Sequence, residues 1–126
     1  MNIPADLNYT KDHEWIKIDG DLATIGVTDF AQKELGDIVF VEVDTEGETL
    51  SAGEVFGTVE AVKTVSDLFM PLDGIVESIN QGLEDSPEIV NQDPYGEGWM
   101  VKIKIDADTD TSELLTASQY MEVIGE

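Results

Sequence analysis

The sequence predicts a mainly β fold, a small sandwich or barrel with short helices and a C-terminal helix, and three observations carry that expectation. Apolar residues recur at every second position in several short runs, the period of a half-buried strand. Gly47, Gly53, Gly57 and Gly74 punctuate those runs at intervals suited to short strands. A faint internal repeat pairs Val41-Glu42-Val43, with Gly47 six residues after Val41, with Val76-Glu77-Ser78, with Gly82 six residues after Val76. At 126 residues and 41% hydrophobic content, the chain suits a single domain over residues 1–126 that buries its core without disulfide or metal.

Each element has a local reason. Residues 2–11 read as a loop, with Ile3-Pro4 favouring an extended entry. Ile16-Lys17-Ile18 alternates as a strand, Asp19-Gly20 signals a hairpin turn, and residues 22–27 return with Ala23, Ile25 and Val27 on one face. Thr28 offers an N-cap oxygen, Asp29 suits the positive end of a helix and Gly36 supplies a stop, which predicts a short helix over residues 28–35. Residues 38–43 follow as a strand with Val39, Val41 and Val43 on one face and Ile38 and Phe40 on the other. Apolar character on both faces predicts a central strand. A short segment around Thr49-Leu50 lies between turns. Residues 55–60 and 65–70 are two strands with Lys63 between them.

Further on, Ser86-Pro87-Glu88 opens a helix with proline in its first turn, Ile89 and Val90 supply its apolar side, and Asp93-Pro94 ends it. Residues 95–99 form a glycine-bearing loop. Val101, Ile103 and Ile105 alternate inward against Lys102 and Lys104 outward. The acidic run 106–110 reads as a solvated linker. From Ser112 onward, Leu114, Ala117, Met121 and Ile124 fall at helical spacing before Gly125, a stripe suited to core packing.

Charge and composition narrow the function. The chain has 28 acidic and 6 basic residues, a formal charge of -22 and no cysteine. An acidic surface of this kind repels phosphate backbones and anionic lipid, so nucleic acid and membranes are poor partners. Without cysteine there is no disulfide, thiolate nucleophile or Cys-based zinc site. His13 is the only histidine, and a lone histidine is more often a hydrogen-bonded structural residue than a catalyst. No phosphate-binding glycine loop or HExxH motif is present. The many carboxylates could pair for acid/base work, but at this density proximity arises by chance. The N-terminus has neither a basic-then-apolar secretory pattern nor the arginines of a transit peptide. A protein of the bacterial cytosol is expected, and a mature organellar form with a replaced start residue would look similar.

Lys63 stands within EAVKTVSDLFMPLDG, residues 60–74. Ala61-Val62-Lys63-Thr64 has no Gly, Asn or Asp, so a type I turn is the one that fits, with Lys63 on a hairpin tip. Glu60 precedes Lys63 by three residues and Gly74 follows it by eleven. With Val62, Ser66 and Pro71, this set resembles the modification signature of lipoyl carriers, in particular the H protein of the glycine cleavage system. Ala61 departs from the serine usual there. Lipoyl domains of 2-oxo acid dehydrogenases usually have aspartate before the lysine, and biotinyl domains place it between methionines, whereas Val62 and Thr64 flank Lys63. His13-Glu14-Trp15, residues 26–29, Ser86-Pro87 and residues 94–99 are also similar to H proteins, so the resemblance covers nearly the whole chain.

The resemblance implies a barrel-sandwich hybrid of the lipoyl/biotinyl carrier type, with two related halves about a pseudo-twofold axis. It implies lipoate attached covalently to Lys63, with Glu60 and Gly74 recognised by the lipoate-attaching enzymes and both mattering more for modification than for folding. The implied activity is that of a carrier, not an enzyme. The arm would take an aminomethyl group from glycine decarboxylase (P protein) to aminomethyltransferase (T protein) and electrons to dihydrolipoyl dehydrogenase (L protein). Asp12, Glu14, Glu34 and Asp67 are the positions expected to line a cleft for the arm, although serine and histidine can stand at the first and third of these in the family. The alternatives are a lipoyl carrier serving another complex or lipoate relay, and an unmodified acidic binding module.

Overall fold

The alternating runs form two antiparallel sheets in the computed structural model, which describes residues 2–106 and 108–125. The larger sheet contains β1 (Asn8–Tyr9), β2 (Glu14–Asp19), β3 (Leu22–Val27), β5 (Thr49–Leu50), β8 (Gly74–Ile79) and β9 (Val101–Lys104), in the order β1-β2-β3-β9-β8-β5. The smaller contains β4 (Ile38–Glu42), β6 (Val55–Ala61) and β7 (Val65–Phe69), in the order β4-β6-β7. Four helices complete the described chain: α1 (Asp29–Leu35), α2 (Gly82–Asp85), α3 (Ile89–Gln92) and α4 (Ala117–Ile124). Among the described residues no helix is long and apolar enough to cross a membrane.

The expected inward faces form the core. Ala23, Ile25, Val27, Val101, Ile103 and Ile105 are buried in one cluster with Val41, Phe56, Val59, Leu68 and Val76. Val41 and Val76, the repeat's two landmarks, lie in strands of opposite sheets. A second cluster gathers Leu7, Tyr9, Trp15, Ala117 and Tyr120. Alternation along β2 divides its side chains: Ile16 joins the first cluster and Trp15 the second. Gly26 pairs with Trp15, and a Cβ there would lie 2.6 Å from the indole nitrogen, so only glycine admits the ring. The indole N–H donates to the Pro94 carbonyl at 2.9 Å.

Several expectations need correction. Strand β4 is an outer strand, not a central one: it pairs only with β6, and a bulge leaves Val39 unpaired, so Val39 and Phe40 both face solvent. The bulge thereby mixes the two expected faces: Ile38 and Val41 are buried, while Val39 and Phe40 are surface. Residues 2–11 include β1, because Asn8 and Tyr9 pair with Ile16 and Trp15 of β2, and Tyr9 also exchanges hydrogen bonds with Leu115 (2.9 and 2.8 Å). The same pairing holds Leu115 extended and delays the last helix. Thr116 then caps it, accepting from the Gln119 N–H while the Gln119 side chain accepts from the Thr116 N–H. Leu114 lies before that helix and packs on the first cluster instead. Helix α3 starts two residues beyond Pro87, and α2 had no counterpart in the sequence reading. Of the acidic run 106–110, Ala107 lies outside the described residues, while Asp106, Asp108 and Asp110 are exposed.

Candidate functional site: the Lys63 hairpin and its cleft

Strands β6 and β7 carry Lys63 to an exposed tip, closed by a 2.7 Å hydrogen bond from the Ala61 N–H to the Thr64 carbonyl. Among the described residues, His13 alone of the non-glycine residues has positive φ, so Val62 and Lys63 turn without left-handed backbone, as their side chains demand. The tip is tied down from one side. The Val62 N–H donates to the Asp37 carbonyl at 3.1 Å, and the Lys63 stem passes over Gly36, where a Cβ would lie 3.4 Å from Lys63 Cε.

Helix α1 positions that support. Thr28 Oγ1 accepts the Ala31 N–H at one end, and Gly36, at φ 81°, ends the helix at the other. Asn91 then braces the stop. Its amide donates to the Gly36 carbonyl (2.9 Å) and Gln32 Oε1 (3.0 Å), and its oxygen accepts the Ile38 N–H (2.9 Å). Helix α3 thereby fixes the end of α1 and the start of β4 together.

Beside the hairpin, between β7 and α1, is a cleft of about 430 Å³. Phe30, Leu35, Val59 and Leu68 give it an apolar lining, and Asp12, Glu34 and Asp67 supply acid. Three of the four carboxylates expected there thus line it. Glu14 does not: it is 1% exposed, with Oε2 accepting the Phe69 N–H at 2.9 Å and Oε1 accepting the Thr10 hydroxyl at 3.4 Å. As the first residue of β2 it turns inward behind β7. Burial pushes its carboxyl up to about 8, opposed by the hydrogen bond from the Phe69 N–H.

His13 also lines the cleft. Its Nδ1 lies 3.0 Å from the Tyr120 hydroxyl, which is 2.7 Å from Thr28 Oγ1, and its ring packs 4.9 Å from that of Phe30. Burial lowers its pKa, against the raising influence of Asp12 and Glu34. The expected hydrogen-bonded, structural histidine is what these contacts describe. Burial likewise pushes the Tyr120 hydroxyl up to about 12, so it stays a neutral link between α4, His13 and the α1 cap.

The two recognition candidates have different settings. Glu60 is exposed on β6, opposite Phe40 on β4 and Val65 on β7, and makes no side-chain hydrogen bond or ion pair among the described residues. Gly74 begins β8, opposite Leu50, and a Cβ there would come within 2.7 Å of the Lys104 carbonyl oxygen. That approach gives Gly74 a packing role beside the recognition role expected of it, since a side chain there would press on the backbone of β9. Sequence reasoning missed Asn91, Phe30 and the Tyr120 link. Only the Thr28 end of that link had a local signal, because Tyr120 lies 92 residues away in sequence.

Fold and site together define a mainly β module that presents a lysine on a hairpin tip beside an acid-rimmed apolar cleft. The family model described as Glycine cleavage H-protein matches residues 7–126. The chain belongs to that family, which is lipoyl-binding. It is similar to the glycine cleavage system H protein of Chlorobium limicola, 62% identical over 128 residues covering 100% of both chains. The H protein of Bacteroides fragilis is 56% identical over 124 residues, 98% of each chain. A crystal structure of a glycine cleavage system H protein from Mycobacterium marinum superposes with a TM-score of 0.89 at 45% identity, over 98% of this chain and 100% of that one. The barrel-sandwich expectation agrees with that likeness.

Proposed function

We propose that Lys63 carries lipoate in amide linkage and that the chain is the mobile carrier of a glycine cleavage system. The observation that carries this reading is Lys63 itself, an exposed primary amine on a rigidly supported tip with a half-apolar cleft beside it. An aliphatic arm suits the Phe30, Val59 and Leu68 surface, and an ammonium at its end suits Asp12, Glu34 and Asp67. Lipoate supplies a dithiolane that exchanges between disulfide and dithiol and can bear a one-carbon amine. In this reading the arm receives an aminomethyl group from glycine decarboxylase, delivers it to aminomethyltransferase and is reoxidised by dihydrolipoyl dehydrogenase. The catalysis belongs to those partners, and this chain contributes position and shelter. A short tether holds its cargo at ~mM effective concentration near a docked partner.

The test is intact mass with peptide mapping after expression in cells that have a working lipoate pathway. Wild type is expected to gain one lipoyl group, on the peptide containing Lys63, and Lys63→Arg to gain none. Modification of the Lys63→Arg protein would overturn the assignment. Modified wild type that no glycine decarboxylase will load, but that another lipoate-dependent complex accepts, would favour service elsewhere.

A further inference from the structure

Resting on the carrier reading, we infer that the outer face of the β4-β6-β7 sheet is the surface by which the enzyme that acylates Lys63 recognises the unmodified chain. Cross-strand register places Phe40, Glu60 and Val65 in one row across the three strands, with Glu60 three residues before Lys63 and Val65 two after it. Their strand neighbours Val41 and Val59 are buried, so the row points away from the core. Phe40 is 43% and Val65 62% exposed, and the bulge adds Val39 at 49% and the tip adds Val62 at 76%. Four large apolar side chains therefore surround Lys63 and Glu60 on an otherwise strongly acidic protein. The next row of the same face is Glu42, Thr58 and Asp67.

This pattern selects one kind of partner: a face with an apolar strip, a cation opposite Glu60 and further cations toward Glu42 and Asp67. Among enzymes that meet this hairpin, the acylating one has the greatest need of such a surface. It must choose Lys63 among six lysines with no arm yet to grip, whereas enzymes acting on the loaded chain can bind the arm itself. The face is separate from the cleft wall contributed by α1 and meets the cleft only at Asp67, so a partner seated on the Phe40-Glu60-Val65 row can reach the amine without covering α1. In the reaction the neutral amine of Lys63 attacks the activated lipoyl carboxyl. The N–C bond forms, the bond to the activating group breaks with its electron pair leaving on that group, and a proton passes to solvent.

The experiment uses the full unmodified chain, lipoate, ATP and a ligase that activates the lipoate carboxyl as its adenylate, releasing pyrophosphate and then AMP. Product is read by intact mass over a range of chain concentrations. Phe40→Ser with Val65→Ser is expected to raise KM for the chain about tenfold with kcat little changed, because the rows are used in docking and not in acyl transfer. Val62→Ser alone, at the most exposed position, is expected to raise it several-fold and keeps the test available should the double variant fold poorly. Val123→Ser, an exposed apolar position on α4, serves as control and is expected to leave KM unchanged. Wild-type KM in both the double and Val62→Ser variants, or an equal rise in the control, would overturn the docking surface. Since Lys63→Arg tests the carrier reading separately, an unmodified docking variant and a wrong lysine give distinguishable results. A concentration-dependent dimer of wild type, abolished in the double variant, would instead assign the face to a second copy of this chain.

Discussion

Glu14 shows how one buried acid sets a pH dependence that its neighbours do not share. Its carboxyl is held near 8 in the folded chain by burial, against an ordinary value of 4.5. Between those values the folded state binds a proton that the unfolded state has released, so stability falls as pH rises from about 5 to 8. Glu14→Gln keeps an oxygen to accept the Phe69 N–H and loses the titration. The variant should therefore match wild type near pH 5 and exceed it at pH 8, read as urea midpoints across that range. Parallel midpoint curves for the two proteins would show that Glu14 does not titrate in that window. The residue also shows where sequence reasoning ended. The resemblance implies a place for Glu14 on the arm's cleft, whereas the chain buries it behind β7, because a matching family position does not say to which side of a strand the carboxyl turns.

At the scale of elements, the hairpin and its support make a unit whose parts lie far apart in sequence. The Thr28 cap, the Gly36 stop and a Lys63 tip between two strands were legible because caps and turns are local chemistry. The edge position of β4 was not, because an apolar second face is the mark of a buried strand and also of a docking surface. Neither was Asn91, whose bonds span more than fifty residues. Asn91→Ala leaves the Gly36 carbonyl and the Ile38 N–H without their partners, and is expected to cost about 1–3 kcal/mol. Hydrogen exchange should then quicken selectively at Ile38 and Val62, the amides nearest the brace; protection unchanged at both would remove Asn91 from the hairpin's support. Gly74→Ala tests the opposite arrangement, a signature residue with a packing role. Overpacking against Lys104 should cost about 1–3 kcal/mol, measured in urea, while the folded fraction is still modified at Lys63. Full stability with lost modification would favour the recognition role alone.

For the whole molecule the dominant feature is unbalanced charge. With 28 acids against 6 lysines, attraction is scarce: the one ion pair among the described residues is Lys33 with Asp29 at 3.9 Å, on the exposed side of α1. Such a pair contributes at most about 1 kcal/mol. Repulsion among the remaining carboxylates opposes the compact state, because folding brings them closer than the unfolded chain does. Salt shortens the reach of that repulsion, from a Debye length of about 30 Å at 0.01 M to about 3 Å at 1 M. The thermal midpoint should accordingly rise by several degrees between those limits, since about 1 kcal/mol moves it roughly 4 °C in a domain of this size. Sodium and potassium chloride should act alike, as screening requires. A midpoint that falls with salt would mean that attractive pairs outweigh repulsion, while a rise seen with only one of the two cations would point to specific ion binding in place of screening.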